Sequence, residues 1–260
     1  MYKKTDVLID LFFKDSPFEE RVAKIAALGY EAIETWQCGD AAVMKKIGDA
    51  CKAHKVAFVS AVLNSPGNME FAPDKTGNQG VFLDRLDKFT DIALAAGCKA
   101  GIVTTGNKIP EQSPEVHKKN LVESLRKAGA MAAKKGFNLN LETLNTAVDH
   151  KGYYLESREV TIEIINEVNL PNVKMLYDIY HMQIMGGNQL AFILPNLKQI
   201  GHFHTAGVPG RHELFDGETN YPFVLRKILD AGYKGFFGLE YVPLLESAAS
   251  LQKTADYLKS

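Results

Sequence analysis

Cysteine is scarce in this chain, and the few present show no pattern. Cys38, Cys51 and Cys98 are odd in number, lack any C-x-x-C spacing and fall inside apparent helices or strands. That argues against a disulfide scaffold or a thiolate metal site and fits reduced thiols in a cytoplasm. Net charge is missing too: 30 basic against 31 acidic residues leave −1, so no global field draws the chain to nucleic acid or an anionic membrane. No apolar run approaches the ~20 residues of a bilayer span. The apolar stretch after the basic N-terminus is short, broken by Asp10 and without a small-residue cleavage site; it reads as a first strand, not a signal peptide. No linker or low-complexity segment divides residues 1–260. These absences leave a single cytoplasmic domain acting on a small molecule, with nothing that speaks against a homo-oligomer.

What is present is a repeated sentence. Hydrophobic residues make up 46% of the 260, enough for one large core. Strand patterns at 7–12, 30–36, 56–63, 100–104, 138–142, 173–177, 199–204 and 236–240 alternate with helical ones. The first helix opens on a Ser16-Pro17-Phe18-Glu19 capping box and stops at Gly29; others are expected at 41–54, 82–96, 113–135, 159–168, 190–197, 221–231 and from Pro243. Gly97, Gly136 and Gly232 supply further helix stops. Eight βα units in a chain of this length predict an α/β fold, a single (β/α)8 TIM barrel, with an open doubly wound sheet as runner-up. The long connections at 64–80, 106–113, 145–157 and 205–220 all follow strands, and in a barrel such loops build the active face.

Four strands end in a side chain able to bind a metal: Glu142, Asp178, His204 and Glu240. An unpaired buried charge costs several kcal/mol, so an apolar strand carries one only where it opens into a polar site. Strands five to eight form one arc of a barrel mouth, where the four converge. Three carboxylates and an imidazole are a moderately hard donor set suited to one Mn²⁺, Mg²⁺ or Co²⁺ ion. Glu142 and Glu240, three strands apart, are the candidate catalytic pair, able to move protons on either side of a substrate. His181, one turn past Asp178, and Arg211, in a glycine- and proline-bounded loop, are candidate substrate contacts. Trp36 and Asn64, at the ends of strands two and three, are candidates to line the pocket. His202 points the same way as His204 and is expected inside the barrel below the metal. His54, His117 and His150 are expected at the surface.

The run Leu141-Glu142-Thr143-Leu144-Asn145, the run Tyr177-Asp178-Ile179-Tyr180-His181-Met182-Gln183, the pair His202 and His204, and Gly238-Leu239-Glu240 together resemble the xylose-isomerase-like TIM-barrel superfamily of sugar isomerases and epimerases. Within it the chain is most similar to the hydroxypyruvate isomerase family. The segments from Val148 to Leu155 and from His204 to Glu213 look like signatures of that family. The resemblance implies that Glu142, Asp178, His204 and Glu240 hold one divalent cation, that the two glutamates move protons, and that His181 and Arg211 touch a small sugar or keto-acid substrate. Two positions separate the relatives. Hydroxypyruvate isomerases often carry an amide where His204 stands, whereas ketose 3-epimerases carry His; those epimerases place a substrate-binding glutamate six residues after the first metal glutamate, where this chain has Val148.

Isomerisation of a hydroxypyruvate-like compound through an enediolate is therefore the leading expectation, and ketose epimerisation or sugar isomerisation the alternative. DNA-repair endonucleases resemble the same superfamily but use several metals and a basic groove. A non-catalytic sugar-binding barrel would not need two flanking glutamates.

Overall fold

Eight parallel strands close on themselves in chain order: β1 (Thr5–Leu8), β2 (Ala32–Thr35), β3 (Ala57–Val62), β4 (Ala100–Val103), β5 (Asn138–Glu142), β6 (Val173–Asp178), β7 (Ile200–Thr205) and β8 (Phe237–Leu239). The last seam pairs Thr5 with Phe237 and Val7 with Leu239. This computed structural model describes residues 4–259, and the architecture is the predicted (β/α)8 barrel. Around it run α1 (Phe18–Ala27), α2 (Ala41–His54), α3 (Gln79–Ala95), α4 (Pro114–Lys134), α5 (Arg158–Val168), α6 (Ile179–Met185), α7 (Gln189–Asn196), α8 (Tyr221–Asp230) and α9 (Ser247–Tyr257). Strands of a closed parallel barrel are covered on both faces, so they are apolar on both; β1, β2 and β8 are buried throughout. No helix among the described residues is long and apolar enough to cross a membrane.

The departures from expectation have local causes. β1 ends at Leu8 because Arg21 gathers the carbonyls of Ile9, Lys14 and Ser16 into a turn. The capping box does not form: Ser16 Oγ is taken by Asp15 and Lys24, and α1 starts after Pro17. α6 was not anticipated, because Asp178 is both the last residue of β6 and the cap of α6, its Oδ1 accepting from the amides of Tyr180 at 2.7 Å and His181 at 3.1 Å. α9 begins at Ser247 rather than near Pro243, since Glu213 first accepts from the amides of Leu244 and Leu245.

His117 is not a surface group. It is buried, with Nδ1 2.8 Å from Asp74 Oδ2 while Nε2 accepts from the Ile109 amide. Asp74 also accepts from the Gly106 amide, so this pair ties the loop after β3 to the loop after β4. The three cysteines are free and buried, and burial pushes each thiol up to about 12.

Gly48 sits inside α2, where glycine normally costs ~1 kcal/mol relative to alanine. A Cβ there would stand 2.3 Å from the Ala96 carbonyl oxygen. Gly48→Ala is therefore expected to destabilise the protein by about 1–3 kcal/mol, the cost of overpacking outweighing the propensity gain. Denaturant unfolding reads this, and a stabilised variant would refute the packing argument.

Candidate active site

The barrel delivers its chemistry at the C-terminal ends of β5 to β8. Glu142 closes β5, Asp178 closes β6, His204 lies one residue before the end of β7, and Glu240 follows β8. One donor atom from each lies within 4.8 Å of the others, and all four side chains are buried. His204 Nδ1 stands 3.1 Å from Glu240 Oε2 and 3.5 Å from Glu142 Oε1, with no aligned hydrogen bond. A buried imidazole nitrogen without a partner, ringed by carboxylate oxygens, is the donor chemistry of a hard divalent cation, and the four residues fit one.

The two glutamates are dressed differently. Trp36 Nε1 donates to Glu240 Oε1 at 2.9 Å and Arg211 Nη2 to Glu240 Oε2 at 2.6 Å. Burial alone would raise the Glu240 carboxyl, but the Arg211 guanidinium and His204 hold it well below the usual carboxylate range. Glu142 lacks such clamps, and burial, with Glu240 nearby, raises it. Burial likewise pushes Asp178 up to about 7, helped by Glu240. His204 is held well above the usual imidazole value despite burial, through Glu34 and then Glu240.

His181 is fully buried at the start of α6. Its Nδ1 accepts from the Asn145 side-chain amide at 2.6 Å, and Asn145 also donates to Asp149. The proton then sits on Nε2, which has no hydrogen-bond partner and lies 3.5 Å from Asp178 Oδ2. Burial and Arg211 lower His181 well below the ordinary imidazole value, so it is a neutral N–H donor aimed at the cluster.

A cavity of about 320 Å³ opens above the cluster, walled by Trp36, Ser65, Pro66, Ile102, Leu144 and His150 and reaching Glu142, His204, Arg211 and Glu240. Trp36 and Arg211 are thus where the sequence places them. Asn64 is not: its amide nitrogen donates to the Thr104 carbonyl at 2.7 Å while its oxygen accepts from the Thr104 amide. That pairing clips the ends of β3 and β4 together and leaves the pocket wall to Ser65 and Pro66. His150 was expected at the surface but is half-buried and lines the pocket, its ring 5.3 Å from that of His181. Val148 is 61% exposed and stands on the rim, outside the pocket. A larger cavity of about 840 Å³ lies at the opposite end of the barrel, beside Asn138, Lys174 and Gly235 and away from the four donors.

Sequence reasoning missed two carboxylates beneath the cluster, Asp6 on β1 and Glu34 on β2, both fully buried. The same signal, a charge within an apolar strand, marks them.

Comparison with known proteins places the chain among isomerase-named relatives of the same barrel fold. Residues 22–260 match the profile of the family described as xylose isomerase-like TIM barrel. The chain is 29% identical over 247 residues to a 2-oxo-tetronate isomerase of Pectobacterium atrosepticum, covering 90% of each. It is 32% identical over 176 residues to the hydroxypyruvate isomerase of Escherichia coli, covering 68% of each. Among solved structures it is similar to a protein of Brucella melitensis titled AP endonuclease, family 2, with a TM-score of 0.89 and 28% identity over 98% of this chain and 99% of that one.

Proposed function

Because the chain belongs to the xylose isomerase-like TIM barrel family and is an isomerase, we propose that it shifts a carbonyl by one carbon in a short hydroxy-keto acid of the hydroxypyruvate or 2-oxo-tetronate kind. The observation that carries this reading is the unequal treatment of the two glutamates. Carbonyl migration through an enediolate needs one group that takes a proton from the hydroxyl-bearing carbon, exchanges it with solvent and gives a proton to the neighbouring carbon, while the hydroxyl oxygen loses its proton and the former carbonyl oxygen gains one. Inversion at a single carbon needs two such groups on opposite faces. Glu240, with both oxygens engaged by Trp36 and Arg211, is fixed as an anion. Glu142, raised and unclamped, is the group suited to take up and release a proton. The sequence makes Glu142 and Glu240 equal partners; this division of labour gives proton transfer to Glu142 and anchoring to Glu240.

Glu142, Asp178, His204 and Glu240 would hold one divalent ion, which would supply Lewis-acid stabilisation of the negative charge on the carbonyl oxygen. His181 Nε2–H donates to a substrate oxygen from the α6 side. Arg211 keeps Glu240 ionised with part of its guanidinium and offers its other donors to a substrate carboxylate. Trp36, Pro66, Ile102 and Leu144 exclude water from the wall of the cavity. Val148, on the rim, offers no hydrogen bond to the hydroxyls of a longer sugar.

The test is a panel of three- to six-carbon ketoses and keto acids with and without Mn²⁺, followed by NMR. Metal-dependent interconversion of the short keto acids is expected. Faster inversion of fructose or tagatose at C3 would overturn the assignment.

The binding of the ion has a definite pH dependence. Since the ion takes ionised carboxylates and a neutral imidazole, it must displace a proton from Asp178 below about 7, from the raised Glu142 and from His204, which is held well above the usual imidazole value. Affinity of the metal-free protein for Mn²⁺ should therefore fall as pH drops from about 8 to about 5.5, by up to ~10-fold per unit for each proton displaced. Calorimetry in buffers of different ionisation enthalpy counts those protons, and an affinity flat over this range would contradict the ligand set.

A further inference from the structure

Beneath the cluster lies a second group of ionisable side chains that the chemistry above does not use. Glu34 reaches across the barrel from β2 toward β7, placing Oε2 3.0 Å from His204 Nε2 and 3.2 Å from His202 Nε2. Asp6 lies behind, with Oδ2 3.8 Å from His202 Nε2. Glu34 and Asp6 are fully buried, and Glu34 Oε1 and both Asp6 oxygens lack an aligned hydrogen bond. A buried carboxylate is tolerated when charged or polar donors face it, and here two imidazole nitrogens converge on a single oxygen.

A neutral imidazole carries one proton. If Nε2 of His204 gives that proton to Glu34, the lone pair must lie on Nδ1, the nitrogen that faces Glu142 and Glu240. We propose that Glu34 is a positioning residue for the metal ligand His204: from below it fixes the tautomer and the ring orientation, and His202 holds Glu34 in turn. Partners of this kind make a ligating imidazole more basic and orient it. The inference rests on the reading of the four donors as a cation site.

An independent observation supports it. Gly238 on β8 has no positive φ, so its backbone does not demand glycine, yet a Cβ there would stand 2.3 Å from Glu34 Oε1 and 2.7 Å from His204 Cδ2. The strand is bare where the Glu34–His204 pair crosses it.

The experiment titrates Mn²⁺ into the metal-free full chain by calorimetry, comparing the parent with Glu34→Ala and Glu34→Gln. Histidine-¹⁵N NMR of the Mg²⁺-loaded parent then reads the tautomer of His204. The expected results are about 10- to 100-fold weaker binding for Glu34→Ala, an intermediate loss for Glu34→Gln, which keeps an acceptor oxygen without the charge, and a proton on His204 Nε2. Gly238→Ala should weaken binding in the same direction, since it pushes the pair apart. A proton on Nδ1 in the parent overturns the proposal, as does parental affinity in the folded variants. So does a stoichiometry of two ions per chain in which Glu34→Ala removes only one, which would make Glu34 a ligand in its own right. Should Glu34→Ala not fold, Glu34→Gln and the tautomer decide. A parent that takes up no ion at all overturns the cation-site reading together with this proposal, whereas ion uptake indifferent to Glu34 overturns this proposal alone.

Discussion

Glu142→Gln is expected to lower kcat by about 10²–10⁴ while leaving a folded protein that still takes up its ion. The loss is that of a deleted general base and corresponds to roughly 3–5.5 kcal/mol of barrier. Glutamine keeps an oxygen of nearly the same shape at the end of β5, so binding should weaken only modestly, through the lost ligand charge. The metal-free variant should be no less stable than the parent, because burial already disfavours the ionised form of Glu142. Glu240→Gln should behave differently. There the side-chain change disrupts the bonds from Trp36 and Arg211 and leaves the partly buried guanidinium without its anion, so stability should suffer as well as rate. Steady-state kinetics and thermal unfolding on the two variants separate the roles. Equal rate losses with equal stability losses would return the two glutamates to the equivalent pair that the sequence alone suggests.

Asp178→Asn is expected to abolish stoichiometric ion binding without loosening the fold. Asp178 has two duties, and the substitution parts them. Oδ1 caps α6 through the amides of Tyr180 and His181, and asparagine is about as good a cap as aspartate. The charge, which only the ion needs, disappears. The sign of the stability change follows from the raised carboxyl. An acid whose folded value, about 7, lies above its unfolded value of roughly 3.9 favours the folded state when protonated, and that advantage is lost as pH rises toward 7. The metal-free variant should therefore match the parent only below about pH 4, where Asp178 is protonated in both states, and exceed it increasingly as pH rises to about 7 and above. Metal content measured on dialysed protein should fall from about one ion per chain to almost none. A variant that retains its ion would remove Asp178 from the ligand set.

The barrel and the meeting of Glu142, Asp178, His204 and Glu240 at its mouth were legible because both are written locally. Alternation, helix-stop glycines and a charge at the tip of an apolar run need only neighbouring residues, and β5 and α2 formed at their predicted bounds. What escaped depends on partners far along the chain. His117 looks like a solvated helix residue until Asp74 is brought to it. Asn64 looks like a pocket group until the end of β4 arrives with a backbone amide and carbonyl to satisfy. Glu34 stands one residue before the end of β2 and gains meaning only through two histidines of β7 across the barrel. Even the contrast between Glu142 and Glu240 is invisible in their similar strand-end settings; it comes from Trp36 and Arg211, contributed by separate loops.

The claim at the centre, a single proton carrier acting on a carbon-bound hydrogen, is tested most directly by turnover in deuterated water. Product formed from hydroxypyruvate or a four-carbon 2-oxo acid should carry solvent deuterium at the carbon that receives the proton, delivered to one face, with parental enzyme and Mn²⁺ present. In Glu142→Gln this incorporation should vanish along with turnover. Product formed at the parental rate with no deuterium at that carbon would mean that hydrogen moves directly between carbons, and would contradict the mechanism.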